Sequence, residues 1–313
     1  MTAETLRETS TGYLTTTLTR TATGEHTVVR RPGADRPHRD EPSEADLAQV
    51  ARAAGASSRV SPGVRVGEAW QHTVPGPASL ALLLSAGMRA EPLEGVAAAL
   101  GTTLAAVHSR TPAPAFPEPS GLSRLRAWSL VGPRDDGTRG TRGTRGTRDA
   151  RRALDTVAEA LGADGLDTLL RDLDTEGAPA ATLLGAPGSQ TVHPDPAGGP
   201  ATVLVTDEVA SGAPSWDLGW FVGELVERAT TSTGDPETLA RASRALLGAH
   251  ARVAEPVDPH HVAAAAAARV LVHVHDYATY VGWDASLAGR ARSAARLRPG
   301  VDPALVDRWC APP

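Results

Sequence analysis

The front of this chain, as far as Gly76, is written in strand-forming patterns, whereas nearly everything from Glu91 onward is written in helical ones. Thr15-Thr16-Thr17-Leu18-Thr19-Arg20 is rich in β-branched residues, and Thr23-Gly24-Glu25 supplies a turn. His26-Thr27-Val28-Val29-Arg30 reads as the returning strand, so a hairpin is predicted across Thr11–Arg31. Ser43–Ala54 then carries helical spacing, with Leu47 and Val50 on one face and Ser43 as N-cap. A second strand pair fits Gly63–Pro75, closing on Trp70-Gln71-His72-Thr73-Val74-Pro75-Gly76. Val96–His108 is an amphipathic helix, helices resume over Ala153–Leu173, a lone strand fits Ala201–Val205, and the rest to Trp309 is helical. Strands gathered at one end and helices at the other predict an α+β chain. At 313 residues the chain exceeds the size at which one core keeps growing. Two lobes are therefore expected, a small β-rich one over 1–76 and a large, mainly helical one over 77–313.

Between Gly132 and Arg152 the pattern lapses: Thr138-Arg139-Gly140 repeats as Thr141-Arg142-Gly143 and Thr144-Arg145-Gly146. Such a tract cannot bury apolar area, so 132–152 is predicted to be a surface loop. Its arginines (139, 142, 145 and 148) offer charge to an acidic peptide or nucleic acid, although an inert repeat expansion is the favoured reading.

Hydrophobic residues make up 41% of the chain but aromatics only 4%, so the core must be Leu, Val and Ala with the tryptophans as local anchors. Lysine, asparagine and isoleucine are missing, and all 31 basic residues are arginines, a bias that codon pressure from a GC-rich genome explains. The net charge of −5 gives no general reason to expect nucleic acid or an anionic membrane as partner. The apolar run Val262–Val272 is mostly alanine and is broken by Arg269, which argues against a membrane span. Cys310 stands alone, excluding internal disulfides and cysteine-built zinc clusters and fitting a reducing compartment. The start, Met1-Thr2-Ala3-Glu4-Thr5, lacks the basic and apolar regions of a signal peptide, so a cytoplasmic location is expected.

One block is more specific. Ala213-Pro214-Ser215-Trp216-Asp217-Leu218-Gly219-Trp220-Phe221-Val222-Gly223-Glu224-Leu225 resembles the C-lobe signature of the aminoglycoside phosphotransferase family of the protein-kinase-like superfamily. The order of β-rich front, helical back and late strand matches that family over nearly the whole chain, which implies a bilobal kinase-like fold. Ser10-Thr11-Gly12-Tyr13 looks like the family's turn over the nucleotide. Val28-Val29-Arg30-Arg31-Pro32 looks like its third strand, with Arg30 at the place of the phosphate-binding lysine, and Glu44 falls where a helical glutamate would pair with it. Trp70–Gly76 resembles the linker between lobes, and Leu100–His108 the first large C-lobe helix.

The family's catalytic loop, His-Gly-Asp and a short stretch ending in Asn, corresponds here to Leu184-Gly185-Ala186-Pro187-Gly188-Ser189-Gln190-Thr191. Ala186 stands in place of the aspartate that accepts the hydroxyl proton, and Thr191 in place of the magnesium-binding asparagine. The metal-binding aspartate falls at Thr206, with Asp207 one residue late and Glu208 in register, and Ala213 replaces the aspartate of Gly-Asp-Pro. A positioned base is worth roughly 10²–10⁴ in rate. Phosphoryl transfer also leans on metal-held charge neutralisation, for which threonine hydroxyls are weak ligands.

The resemblance therefore implies a degenerate, pseudokinase-like member with no cofactor expected. Gly12, Arg30, Glu44, Thr191 and Thr206 would mark a remnant nucleotide cleft, and Asp207 and Glu208 would hold metal only if Mg-ATP is bound. A protein or peptide is the expected partner. Proteins resembling this family act beside lyase-like enzymes in lanthipeptide and thioamide-peptide pathways, and a scaffold role there is one setting the resemblance allows. The alternative is an active, divergent ATP-dependent phosphotransferase on a small molecule or on Ser/Thr of a precursor peptide. His193-Pro194-Asp195 would then be a shifted catalytic loop with Asp195 as base. A third reading keeps only a small-molecule pocket.

Other candidates are weaker. His273 and His275 lie two apart and cannot jointly grip one ion on a helix, and His260 and His261 read as surface residues. No Gly-x-Ser-x-Gly elbow, Walker loop or His-Glu-x-x-His motif is present. Asp217 is expected to tie the helical lobe together through helix N-terminus hydrogen bonds. Trp216 and Trp220 are expected to pack, and Cys310, in a Pro-flanked tail, to be inert.

Overall fold

The computed structural model describes residues 3–38, 41–54, 59–109, 116–131, 144–174, 180–231 and 234–312. β1 (Glu4–Ser10), β2 (Leu14–Arg20) and β3 (His26–Pro32) form an antiparallel meander. β2 and β3 are the hairpin expected across Thr11–Arg31. β1 carried no sequence signal because all seven of its residues are exposed, so no inward–outward alternation marks it. α1 (Glu44–Ala53) opens on a capping box: the Ser43 hydroxyl accepts the Asp46 N–H, and the Asp46 carboxylate accepts the Ser43 N–H. It buries Leu47 and Val50. β4 (Arg59–Ser61), β5 (Val64–Val66) and β6 (Ala69–Val74) follow, and the five-stranded sheet runs β1-β2-β3-β6-β5. Period-two patterning turns Trp70, His72 and Val74 of β6 inward.

The helical part runs α2 (Leu80–Ser85), α3 (Ala90–His108), α4 (Ser120–Val131), α5 (Thr144–Leu161) and α6 (Gly165–Leu173). The short strands β7 (Ala181–Leu183), β8 (Val192–His193), β9 (Thr202–Leu204) and β10 (Ala210–Gly212) come next. Then follow α7 (Ser215–Thr231), α8 (Pro236–Ala251), α9 (Pro259–Tyr280), α10 (Ser286–Leu297) and α11 (Pro303–Cys310). The tract read as a surface loop over 132–152 differs at its end. α5 starts at Thr144, because Leu154, Val157 and Leu161 give it an apolar face that reaches the core; 132–143 lie outside the described residues.

α7 crosses α9 closely. A Cβ on Gly219 would sit 2.4 Å from the Ala265 Cβ, so only glycine there lets the helices approach this far. The alanine-rich run of α9 is thus buried in the core, and no helix among the described residues is long and apolar enough to cross a membrane.

β4 leaves the front sheet and pairs in parallel with β9 in a three-stranded sheet ordered β4-β9-β8. Two flanking bonds extend that pairing: Arg59 N–H to Ala201 O at 3.1 Å and Val205 N–H to Ser61 O at 2.8 Å. Above it, Val28, Val74 and Leu204 form a small apolar cluster of their own, with Leu18 packed on it. The strand sheet and the β8–β9 strands meet there side chain to side chain.

Candidate functional site

Two loops meet beneath the front sheet, and both are organised by buried carboxylates. The first, Leu184–Thr191, joins β7 to β8 and is held by one face of α7. Asp217, fully buried, accepts the Leu184 N–H at 2.7 Å and the Gly185 N–H at 2.9 Å. It also takes the His108 Nε2–H at 3.1 Å. His108 Nδ1 in turn lies 3.1 Å from His250 Nε2. Burial, followed by neighbouring His108, pushes His250 down to about 4. Two helical turns on from Asp217, Glu224 accepts the Ser189 N–H at 2.8 Å and its hydroxyl. The Trp216 indole N–H donates to Gly185 O at 2.7 Å, and the Trp216 and Trp220 rings pack 5.7 Å apart. Asp217 is therefore structural, but it grips the loop backbone and His108.

In this loop Ala186, expected at the base position, contributes only a methyl group. The Thr191 hydroxyl turns back to Gly188 O at 2.9 Å. Gly185 has φ 80°, and a Cβ on it would come within 1.8 Å of Glu208 O, so the first loop lies directly against the second.

The second loop, Thr206–Glu208, follows β9. Thr206 turns its hydroxyl to the Glu208 N–H at 3.3 Å. Asp207 and Glu208 are both buried, and both are taken by one guanidinium: Arg36 lies 2.7 Å from Asp207 and 2.6 Å from Glu208. Glu208 also accepts the Tyr13 hydroxyl at 2.9 Å and the Ser120 hydroxyl. Tyr13 belongs to the glycine turn of the front sheet, where Gly12 O accepts the Asp35 N–H at 2.8 Å and Tyr13 O the Gly33 N–H at 2.8 Å. Its hydroxyl takes a bond from Arg124 at 2.7 Å, and its ring lies under two guanidinia, Arg36 at 4.8 Å and Arg124 at 4.6 Å. Arg124 completes the lattice with a bidentate pair to Asp276 on α9, both bonds at 3.1 Å. Burial alone would lower the pKa of Arg36, but Glu208, Tyr13 and Asp207 outweigh it and raise it, so the cation is locked in. Burial and then Glu208 raise the Tyr13 phenol, which stays neutral and donating.

Arg30 lies half-buried behind this cluster. Burial lowers its pKa, against the pull of Asp207 and Glu208. Glu44 does not meet it: as the first residue of α1 it is exposed and accepts the Arg65 N–H at 2.8 Å. Two buried imidazoles stand beside Arg30, His72 on β6 and His193 on β8, each pushed down to about 4 by burial and then by Arg30. Asp195 sits apart, in the turn from β8 to β9, where its carboxylate accepts the Ala197 N–H at 2.9 Å and Gly198 N–H bonds to Asp195 O at 3.0 Å. Sequence reasoning missed Arg36, Ser120 and Arg124, which reach the site from a turn and from α4. Of the other histidines, His273 joins Arg269 and Arg290 around the buried Glu227, and His275 pairs with Asp276 at 2.8 Å. Cys310 is buried on α11, and burial pushes its thiol up to about 12.

The order of these parts, strand meander, linker strand, braced loop, strand pair and acidic loop, decides the comparison. The fold is that of the aminoglycoside-phosphotransferase-like kinases. A choline/ethanolamine kinase family protein from Mesorhizobium loti matches with TM-score 0.54 at 16% identity, covering 99% of this chain and 93% of that one. The microcompartment-associated aminopropanol kinase matches at 0.56 and 14%, covering 99% and 94%. Amicoumacin kinase hAmiN, solved with AMP-PNP, Ca2+ and Ami, matches at 0.59 and 11%, covering 93% and 87%. No protein-family model and no curated protein matches the chain.

A nucleotide with a divalent cation is the group this fold implies, and the residues present do not fit it. Asp207 and Glu208 already have a cation between them, the Arg36 guanidinium, and Glu208 accepts two hydroxyls besides. Among the described residues no group of three or more His, Cys, Asp or Glu could hold a metal ion.

Proposed function

We propose that this chain is a kinase-fold binding protein that does not transfer phosphate, and that its ligand is a protein or peptide. The observation that carries this reading is the double engagement of Asp207 and Glu208 by Arg36, at 2.7 and 2.6 Å. A guanidinium supplies there the positive charge that magnesium supplies in phosphoryl transfer, and it brings no open coordination position. Ala186 offers no base beside it. The frame is meanwhile kept: Asp217 and Glu224 hold the loop backbone as firmly as a working site requires. A frame without chemistry suits recognition through surfaces, and maturation of a peptide natural product beside a lyase-like enzyme is one setting for it. The competing reading, an active phosphotransferase with Asp195 as base, is disfavoured by the placement of Asp195 on a turn, where it caps its own backbone.

Calorimetric and thermal-shift titration with Mg-ATP tests the proposal. No heat and no shift at millimolar nucleotide is expected. Magnesium-dependent binding, followed by transfer of labelled phosphate that Asp195→Ala abolishes, would overturn it.

A further inference from the structure

A cleft with an apolar lining lies away from the Arg36–Glu208 cluster. It opens behind the linker that leaves β6, between α2 and α3 on one side and the β8–β9 turn on the other, with a volume of about 480 Å³. Pro77, Met88, Val96 and Pro196 give it greasy walls, and Gly95 faces it from α3. A Cβ on Gly95 would meet nothing within 4 Å, so the helix leaves room there. Asp195 is the one ionisable residue in the lining. One carboxylate oxygen caps the turn at Ala197, and among the described residues no cation pairs with Asp195. Pockets of 300–1,000 Å³ with mostly apolar walls and a single placed polar group are the usual form of small-molecule sites.

We propose that this cleft is a binding site for a small apolar molecule carrying one protonated amine, with the ammonium on Asp195 and the body against α3. The apolar walls give area without selectivity. The lone carboxylate supplies the sign of the charge, because a charged hydrogen bond that is partly screened from water contributes more than a neutral one. The site shares no residue with the Arg36–Glu208 cluster, so it stands whether or not the nucleotide cleft binds anything.

The test uses the full chain at pH 7, with phenethylammonium as probe and 2-phenylethanol as its neutral counterpart, followed by calorimetry and amide chemical shifts. Phenethylammonium is expected to bind about tenfold more tightly than the alcohol. Gly95→Leu fills the cleft from a helical position that welcomes the larger residue, and it should abolish binding while the melting temperature holds or rises. Asp195→Asn keeps the turn, since asparagine caps such turns equally well, and should erase the preference for the amine. No binding at millimolar probe, equal affinity for amine and alcohol, or an unaltered affinity in Gly95→Leu would each overturn the proposal.

Discussion

The loop after β7 and the loop after β9 lie in contact, and buried carboxylates hold both, but in opposite senses. In the first, Asp217 and Glu224 belong to α7 and reach out to backbone N–H groups, so the carboxylates are the tools and the loop is the work. In the second, the loop's own Asp207 and Glu208 are what is held, by Arg36, Tyr13 and Ser120 from other elements. Carboxylate-to-backbone bonds preserve shape and leave side chains free to change, which is how Ala186 and Thr191 fit a loop that is still well formed. Carboxylate-to-guanidinium bonds consume the side chains themselves. The difference teaches that the bonds that shape a loop and the side chains it presents are separable.

The largest expected effect comes from breaking the second region. Arg36→Ala leaves two buried carboxylates without their cation, and removing one partner of a buried pair costs about 3–5 kcal/mol. Denaturant unfolding should show a correspondingly lower midpoint, and Arg36→Lys should recover only part of it, since an ammonium cannot fork between two carboxylates. An unchanged midpoint would mean that the two regions do not differ in this way.

Acid is expected to act next, on the two imidazoles beside Arg30. His72 and His193 sit near 4 when folded, whereas an unfolded imidazole titrates near ~6.5. As the pH falls the unfolded chain takes up protons first, so stability is full above about 6.5 and declines until about 4. The loss is roughly 3 kcal/mol for each imidazole. Melting temperature followed across that window should fall, and His193→Gln should flatten the slope.

Asp217→Asn breaks the first region more gently, by about 2 kcal/mol, because an amide oxygen still accepts part of what the carboxylate took from the Leu184 and Gly185 amides and His108. The Leu184 and Gly185 amide resonances should move while those of Tyr13 and Ser120 stay; movement of all four would show that the loops act as one unit. The smallest effect is reserved for a surface pair that belongs to neither region. Arg20→Ala removes an exposed bridge to Glu4 and should shift stability by less than about 0.5 kcal/mol.

Local signals made part of this legible. The hairpin at Thr15–Arg30, the Ser43 cap and the strand around Val203 are written in neighbouring residues, and the structure has them in place. The order of elements carried the fold. What stayed hidden is non-local. β4 is only three residues long and is a strand only because β9 lies beside it. Arg36 sits in Gly33-Ala34-Asp35-Arg36-Pro37, a stretch with no periodicity to say that its side chain reaches residues far along the chain. Glu44 looked like a partner for Arg30 by position along the chain, but as the first residue of α1 it faces solvent and serves the Arg65 amide.

The parallel pairing of β4 with β9 has a mechanical consequence. A plate fastened along one edge swings, while a plate fastened along two separate lines can only flex. The front sheet runs on into the helical part at the end of β6, and β4, the strand just before β5, is tied separately to β9 where Arg59 and Ser61 bond to Ala201 and Val205. That parallel pairing gives the front of the chain a second tie to β9, made of backbone hydrogen bonds.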